Sequence, residues 1–76
     1  MSYTVFLGQK ILYYRRLHKL TQSALAKKLG VTPQAVGKWE RRLCYPDISL
    51  LPELAFIFDV TVDELLGYDR HTRQTV

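Results

Sequence analysis

QSALAKKLGVTPQAVGKWER, residues 22–41, decides how this 76-residue chain folds. Leu25, Ala26 and Leu29 fall on one face at helical spacing, with Thr21 before them as a side-chain cap and Gly30 after them where a left-handed residue closes a helix. A second helix follows almost at once: Thr32 caps it and Pro33 takes its first position, where a missing N–H costs nothing. Val36, Trp39 and Leu43 (i, i+3, i+7) are expected to point inward, which leaves Gln34, Gly37, Lys38 and Arg41 on the opposite side. Two short helices crossing over a three-residue turn need a small residue at the crossing, a glycine in the turn and apolar residues at set places on both. Counted from Gln22, small Ala26 is fifth and Gly30 ninth, while Leu25, Leu29, Val31, Val36 and Trp39 are fourth, eighth, tenth, fifteenth and eighteenth. Every constrained position is met.

The flanking segments read as further helices. A first helix is expected from Val5, after Thr4 as cap, to His18, with Leu7, Ile11 and Tyr14 as its buried stripe. Residues 43–47 form a loop. A fourth helix begins at Asp47 or Ser49, carries Pro52 in its first turn and buries Leu51, Leu54, Ala55 and Phe58. Phe56 lies about 150° from the centre of that stripe at 100° per residue, so it should face out. A fifth, short helix opens on the capping-box pattern Thr61-Val62-Asp63-Glu64 and closes at Gly67. With no alternating strand pattern, repeat or low-complexity tract, the expectation is an all-α, compact five-helix bundle over residues 1–67, followed by a polar, flexible C-terminal tail at 68–76. A core of this size holds only with tight helix packing or a partner subunit.

Charge is distributed unevenly. Residues 1–46 carry nine Lys and Arg against Glu40 alone, a balance of +8, whereas residues 47–76 balance at −4. A basic half joined to an acidic half suits one face turned to a polyanion and another kept off it. Cys44 is the single cysteine, so neither a disulfide framework nor a cysteine-based metal site is expected. His18 and His71 have no carboxylate or second histidine at ligand spacing, and no nucleophile, base and orienting group occur together; no metal, cofactor or enzymatic activity is expected. The N-terminus has no basic leader and no apolar run approaches the roughly 20 residues that span a bilayer. The expectation is a cytoplasmic protein with no membrane partner and no evident small-molecule ligand.

The segment with its surroundings resembles the phage-repressor and Cro-like helix-turn-helix family, lambda-repressor-like DNA-binding domains. The family signature reads here as Leu20-Thr21-Gln22, Leu25-Ala26, Leu29-Gly30-Val31, Trp39-Glu40, Pro46, Leu54-Ala55 and Asp63-Glu64-Leu65-Leu66, spread between Leu7 and Gly67. The resemblance implies a sequence-specific, double-stranded DNA-binding transcriptional regulator, most simply a repressor. Its third helix would enter the major groove and its second would lie across the backbone. Gln34 matches a base-reading position, where its amide can bond adenine N6 and N7; Lys38, one turn on, can donate to guanine O6 or N7. Thr32 and Pro33, at the leading end, can touch a thymine methyl. Gln22 matches a phosphate-binding position, and Arg41, Arg42, Lys10 and Lys28 would add backbone contacts. Gly37 has no evident structural use: either it permits close approach to the duplex or it is a neutral, tolerated residue. The family also pairs an arginine at Arg15 with a glutamate at Glu40, implying a partly buried structural ion pair between the first and third helices.

Three departures from the family pattern stand where it usually has glycine: Lys19, Arg42 and Asp59. At Arg42 the third helix either continues or the residue serves a phosphate. Because one recognition helix reads few base pairs, a homodimer on a near-palindromic operator is expected, with half-sites about 34 to 36 Å apart. Phe56, Val62, Leu66 and Tyr68, on the acidic half, are the expected dimer surface. The alternative is a protein-interaction module of antitoxin or anti-repressor type, in which DNA binding is secondary.

Overall fold

The computed structural model describes residues 7–67. In chain order these residues form α1 (Leu7–Leu17), α2 (Gln22–Leu29), α3 (Pro33–Glu40), α4 (Leu51–Phe58) and α5 (Val62–Leu65), with one 3-10 turn, Ile48–Leu50, leading into α4. There is no strand among the described residues, so the architecture is the all-α, five-helix one read from the sequence. The expected start of the first helix at Val5 with its cap Thr4, the residue Tyr68 and the tail 68–76 lie outside the described residues.

The capping residues act as their chemistry requires. Thr21 Oγ1 accepts the Ala24 N–H at 3.0 Å and Thr32 Oγ1 accepts that of Ala35 at 3.2 Å, each satisfying a donor that its helix leaves unpaired. Thr61 and Glu64 form the reciprocal capping box of α5. Asp47 caps the 3-10 turn: hydrogen bonds from the Ser49 hydroxyl and backbone N–H hold its carboxyl below the usual carboxylate range.

Four helix ends close in the same way, by a 6→1 bond from a residue two or three places beyond the helix: Leu20 to Arg15, Val31 to Ala26, Leu43 to Lys38, and Val60 to Ala55. Such a closure needs a left-handed residue one place earlier. Gly30 supplies it at φ 74°, but the other three are Lys19, Arg42 and Asp59, at φ 58°, 62° and 58°. The backbone therefore turns left-handed even where the sequence departs from glycine, so α3 stops at Glu40 and does not continue through Arg42. This corrects the expectation for Leu43. The helical period that would have turned it inward ends before it, and Leu43 is 66% exposed.

Leu7, Ile11, Leu25, Ala26, Leu29, Val36, Trp39, Leu54, Phe58 and Leu65 form one buried cluster drawn from all five helices. The Phe58 ring stacks on Tyr14 at 5.6 Å between centroids, and His18 Nε2 stands 3.0 Å from the Phe58 carbonyl oxygen, joining the C-terminal ends of α1 and α4. Tyr14 has its phenol pushed above the ordinary value of 10.0, first by burial and then by the charges of Glu64 and Tyr13. Where α1 crosses α3 the backbones themselves approach: a Cβ on Gly8 would fall 2.1 Å from the Trp39 carbonyl oxygen. Only glycine permits this crossing, and the apolar stripe of α1 gave no hint of it.

Candidate nucleic-acid interface

Because α3 spends Val36 and Trp39 on the core, its other side is left to solvent. Thr32, Pro33, Gln34 and Lys38 are exposed there, and the side chains of Gln34 and Lys38 make no hydrogen bond or ion pair among the described residues. The structure thus leaves all four expected base-contact residues exposed, Gln34 and Lys38 one turn apart on α3 and Thr32 and Pro33 at its leading end. The Thr32 hydroxyl is already engaged as a cap acceptor, which leaves its methyl as the group for an apolar contact.

A brace stands behind this face. Arg15 donates to Glu40 twice, Nε to Oε2 at 2.6 Å and Nη2 to Oε1 at 3.1 Å, and its Nη1 donates to the Leu20 carbonyl at 2.9 Å. The two side chains are 12% and 6% exposed. A bidentate, mostly desolvated pair of this kind fixes orientation as well as attraction, and it ties α1 to the last residue of α3. Sequence reasoning anticipated the pair but not its third member: Gln22 Nε2, on the first turn of α2, donates to Glu40 Oε1 at 2.9 Å. All three helices that carry the interface therefore meet at one carboxylate.

Gly37 also differs from its sequence reading. It is buried, not bare, because the Gln22 amide and the Arg41 guanidinium lie over it. Of the expected phosphate contacts, Gln22 and Arg41 flank α3, and Arg42 follows it, its Cγ 3.4 Å from where a Gly8 Cβ would be. Lys10 and Lys28 lie elsewhere. The Lys10 Cε is 3.8 Å from where a Cβ on Gly67 would be, at the end of α5, and Lys28 shares a shallow groove with Pro52, Glu53, Phe56 and Ile57. On the expected dimer surface Phe56 is 86% exposed, whereas Val62 is half-buried and Leu66 rests partly against the core. Sequence reading also passed over two exposed apolar residues between α3 and α4, Tyr45 and Ile48, which follow the exposed Leu43. Loop residues carry no periodicity that could have flagged them.

Two capped helices packed together over a glycine turn, with Ala26 buried and three more helices holding them, define a helix-turn-helix domain. The family model described as Helix-turn-helix matches residues 11–65, and the chain belongs to that family. It is 40% identical over 60 residues to the uncharacterized HTH-type transcriptional regulator MJ0272 of Methanocaldococcus jannaschii, covering 79% of this chain and 91% of that one. Identity is also 40% over 60 residues to the HTH-type transcriptional activator BcrR of Enterococcus faecalis, but there the match covers only 29% of the relative. Among solved structures, the P22 c2 repressor in complex with a synthetic operator superposes with a TM-score of 0.78 at 33% identity, covering 87% of this chain and 100% of that one. Among the described residues no helix is long and apolar enough to cross a membrane.

Proposed function

We propose that this chain is a transcriptional regulator that binds double-stranded DNA sequence-specifically by laying α3 in the major groove. The observation that carries the reading is the outward face of α3. Gln34 and Lys38 stand there without protein partners, on a helix whose far end is clamped by the Arg15–Glu40–Gln22 network. Free polar side chains on an immobilised helix suit base reading, since the protein need not break internal bonds to make contacts with base edges. Gln34 reads adenine and Lys38 guanine, with Thr32 and Pro33 against a thymine methyl; Gln22, Arg41 and Arg42 engage phosphates. Lys10 and Lys28, placed away from α3, contribute to the general positive field.

The chain acts in the cytoplasm as a homodimer on a near-palindromic operator, with Phe56 as the anchor of the interface, Val62 and Leu66 beside it, and Tyr68 beyond the described residues. Repression is the output favoured by the likeness to the P22 c2 repressor.

Selection of bound sequences from a random duplex pool tests this. The expected result is a palindromic site from which Gln34→Ala and Lys38→Ala each lose about 1 to 3 kcal/mol and relax preference at one position. Binding that enriches no sequence and responds only to salt would refute the base-reading role.

A further inference from the structure

Lys28, in the last turn of α2, and Glu53, in the first turn of α4, line the same shallow groove as Pro52, Phe56 and Ile57. The groove therefore has unlike walls: α2 supplies a cation, and α4 supplies an anion with an aromatic ring one turn on. Lys28, Glu53 and Phe56 are all exposed. Neither charge is spent inside the chain. Lys28 and Glu53 make no hydrogen bond or ion pair with each other or with any other described residue.

A second copy of the chain brings the same groove, and symmetry limits how two such grooves meet lengthwise. The two-fold axis of an isologous contact lies in the plane between the surfaces, so each patch faces whatever stood across that axis from it. With the axis running across the groove, like walls meet: Lys28 opposes Lys28 and Glu53 opposes Glu53. With the axis running along the groove, each α2 wall covers the other copy's α4 wall, and Lys28 meets Glu53 twice, once on either side of the axis. Like charges set opposite one another disfavour the first arrangement, and opposite charges fix the second.

We propose that the groove between α2 and α4 sets the orientation of the homodimer: the two-fold axis runs along it, flanked by two reciprocal Lys28–Glu53 ion pairs. Each Phe56 ring lies in the groove of the other copy, covered by the methylene stem of its Lys28. The inference rests on the homodimer reading above and adds to it the two charges that decide how, and with which chain, Phe56 pairs. It also gives Lys28 a task apart from DNA.

Sedimentation equilibrium of the full chain over a range of protein concentration tests this with charge reversals. Lys28→Glu and Glu53→Lys should each weaken the dimer about tenfold, since two exposed ion pairs are lost and two like-charge contacts replace them. The variant carrying both reversals should return to within about twofold of wild type, because the pairs are restored with their signs exchanged. An equal mixture of the two single variants should form a mixed dimer that neither forms with itself. Lys28→Gln, which removes the charge without reversing it, should weaken the dimer about threefold and carries the test should Lys28→Glu fold poorly.

Single reversals that leave the wild-type affinity unchanged, with a mixture tighter than wild type, would place the axis across the groove and overturn the proposal. Loss of the dimer in Phe56→Ala with no response to any charge change would overturn the ion pairs while the homodimer through Phe56 stands. A wild type that stays monomeric, alone and with a selected operator, would overturn both and leave the groove to a different protein.

Discussion

Replacing Gly8 by alanine sets two effects of opposite sign against each other, and the structure decides between them. In a helix such a change helps by up to about 1 kcal/mol, because glycine has the larger backbone entropy to lose, and Gly8, the second described residue of α1, gains at most that. The new Cβ, however, falls 2.1 Å from the Trp39 carbonyl oxygen and 3.2 Å from its carbon. Restoring an ordinary C···O approach of about 3.3 Å requires α1 and α3 to part by about 1 Å. The obstacle is backbone, so no side-chain rotation relieves it. Overpacking of this sort costs about 1 to 3 kcal/mol, and with no flexible partner the upper end applies, leaving a net loss of at least about 2 kcal/mol after the propensity gain. For a domain this small that lowers Tm by about 8 to 16 °C. Urea and thermal denaturation followed by circular dichroism measure it, with the urea slope unchanged if the loss lies in the folded state. Gly37→Ala is the internal control: inside α3 it has the full propensity gain, and its nearest neighbour is the end of the Arg41 side chain, so stability should hold or rise by up to about 1 kcal/mol. A Gly8→Ala protein as stable as wild type would refute the reasoning.

Other outcomes follow from the same contacts. Glu40→Ala strands Arg15 in a site where its side chain is 12% exposed, and urea denaturation should show a loss of about 3 kcal/mol, much of it regained when Arg15→Met is added; a double variant no better than the single one would contradict this. Lys19→Gly relieves a left-handed lysine at φ 58°, and since that strain of about 1 to 2 kcal/mol exceeds the extra entropy glycine loses, about 0.5 to 1 kcal/mol, Tm should rise by a few degrees; a fall would mean that the lysine side chain matters at that turn. Tyr14 has a folded-state phenol held above the ordinary 10.0 by burial first and then by Glu64 and Tyr13. Its contribution to stability is therefore complete below that value and is lost as pH rises through the shifted one. Tyr14→Phe should flatten the alkaline limb of the stability profile, and an unchanged limb would assign the effect to other groups.

Local chemistry written into consecutive residues was legible without a structure. Thr21, Thr32 and Thr61 cap helices because a hydroxyl beside a helix start has a free N–H within reach, and the apolar spacing on α2, α3 and α4 leaves each only one face to bury. Phe56 could be placed outside for the same reason. The Arg15–Glu40 pair was readable only through family resemblance, since 25 residues separate the partners and no local pattern joins them. Leu43 was misplaced because periodicity says nothing about where a helix stops. Its end depends on Arg42 accepting a left-handed conformation, which the strong 6→1 closure imposes against the residue's own preference.

By itself, then, the sequence determined the helices, the turn at Gly30 and the polar face of α3, because caps, turns and amphipathic periods act over a few residues. Tertiary structure alone decided what lies across the gaps between helices. There Gly8 admits the Trp39 carbonyl, Gln22 joins Glu40, and Gln22 and Arg41 converge over Gly37. Such contacts depend on interhelical distances of a few ångströms set by the packing of the whole core, and no single segment of chain encodes them.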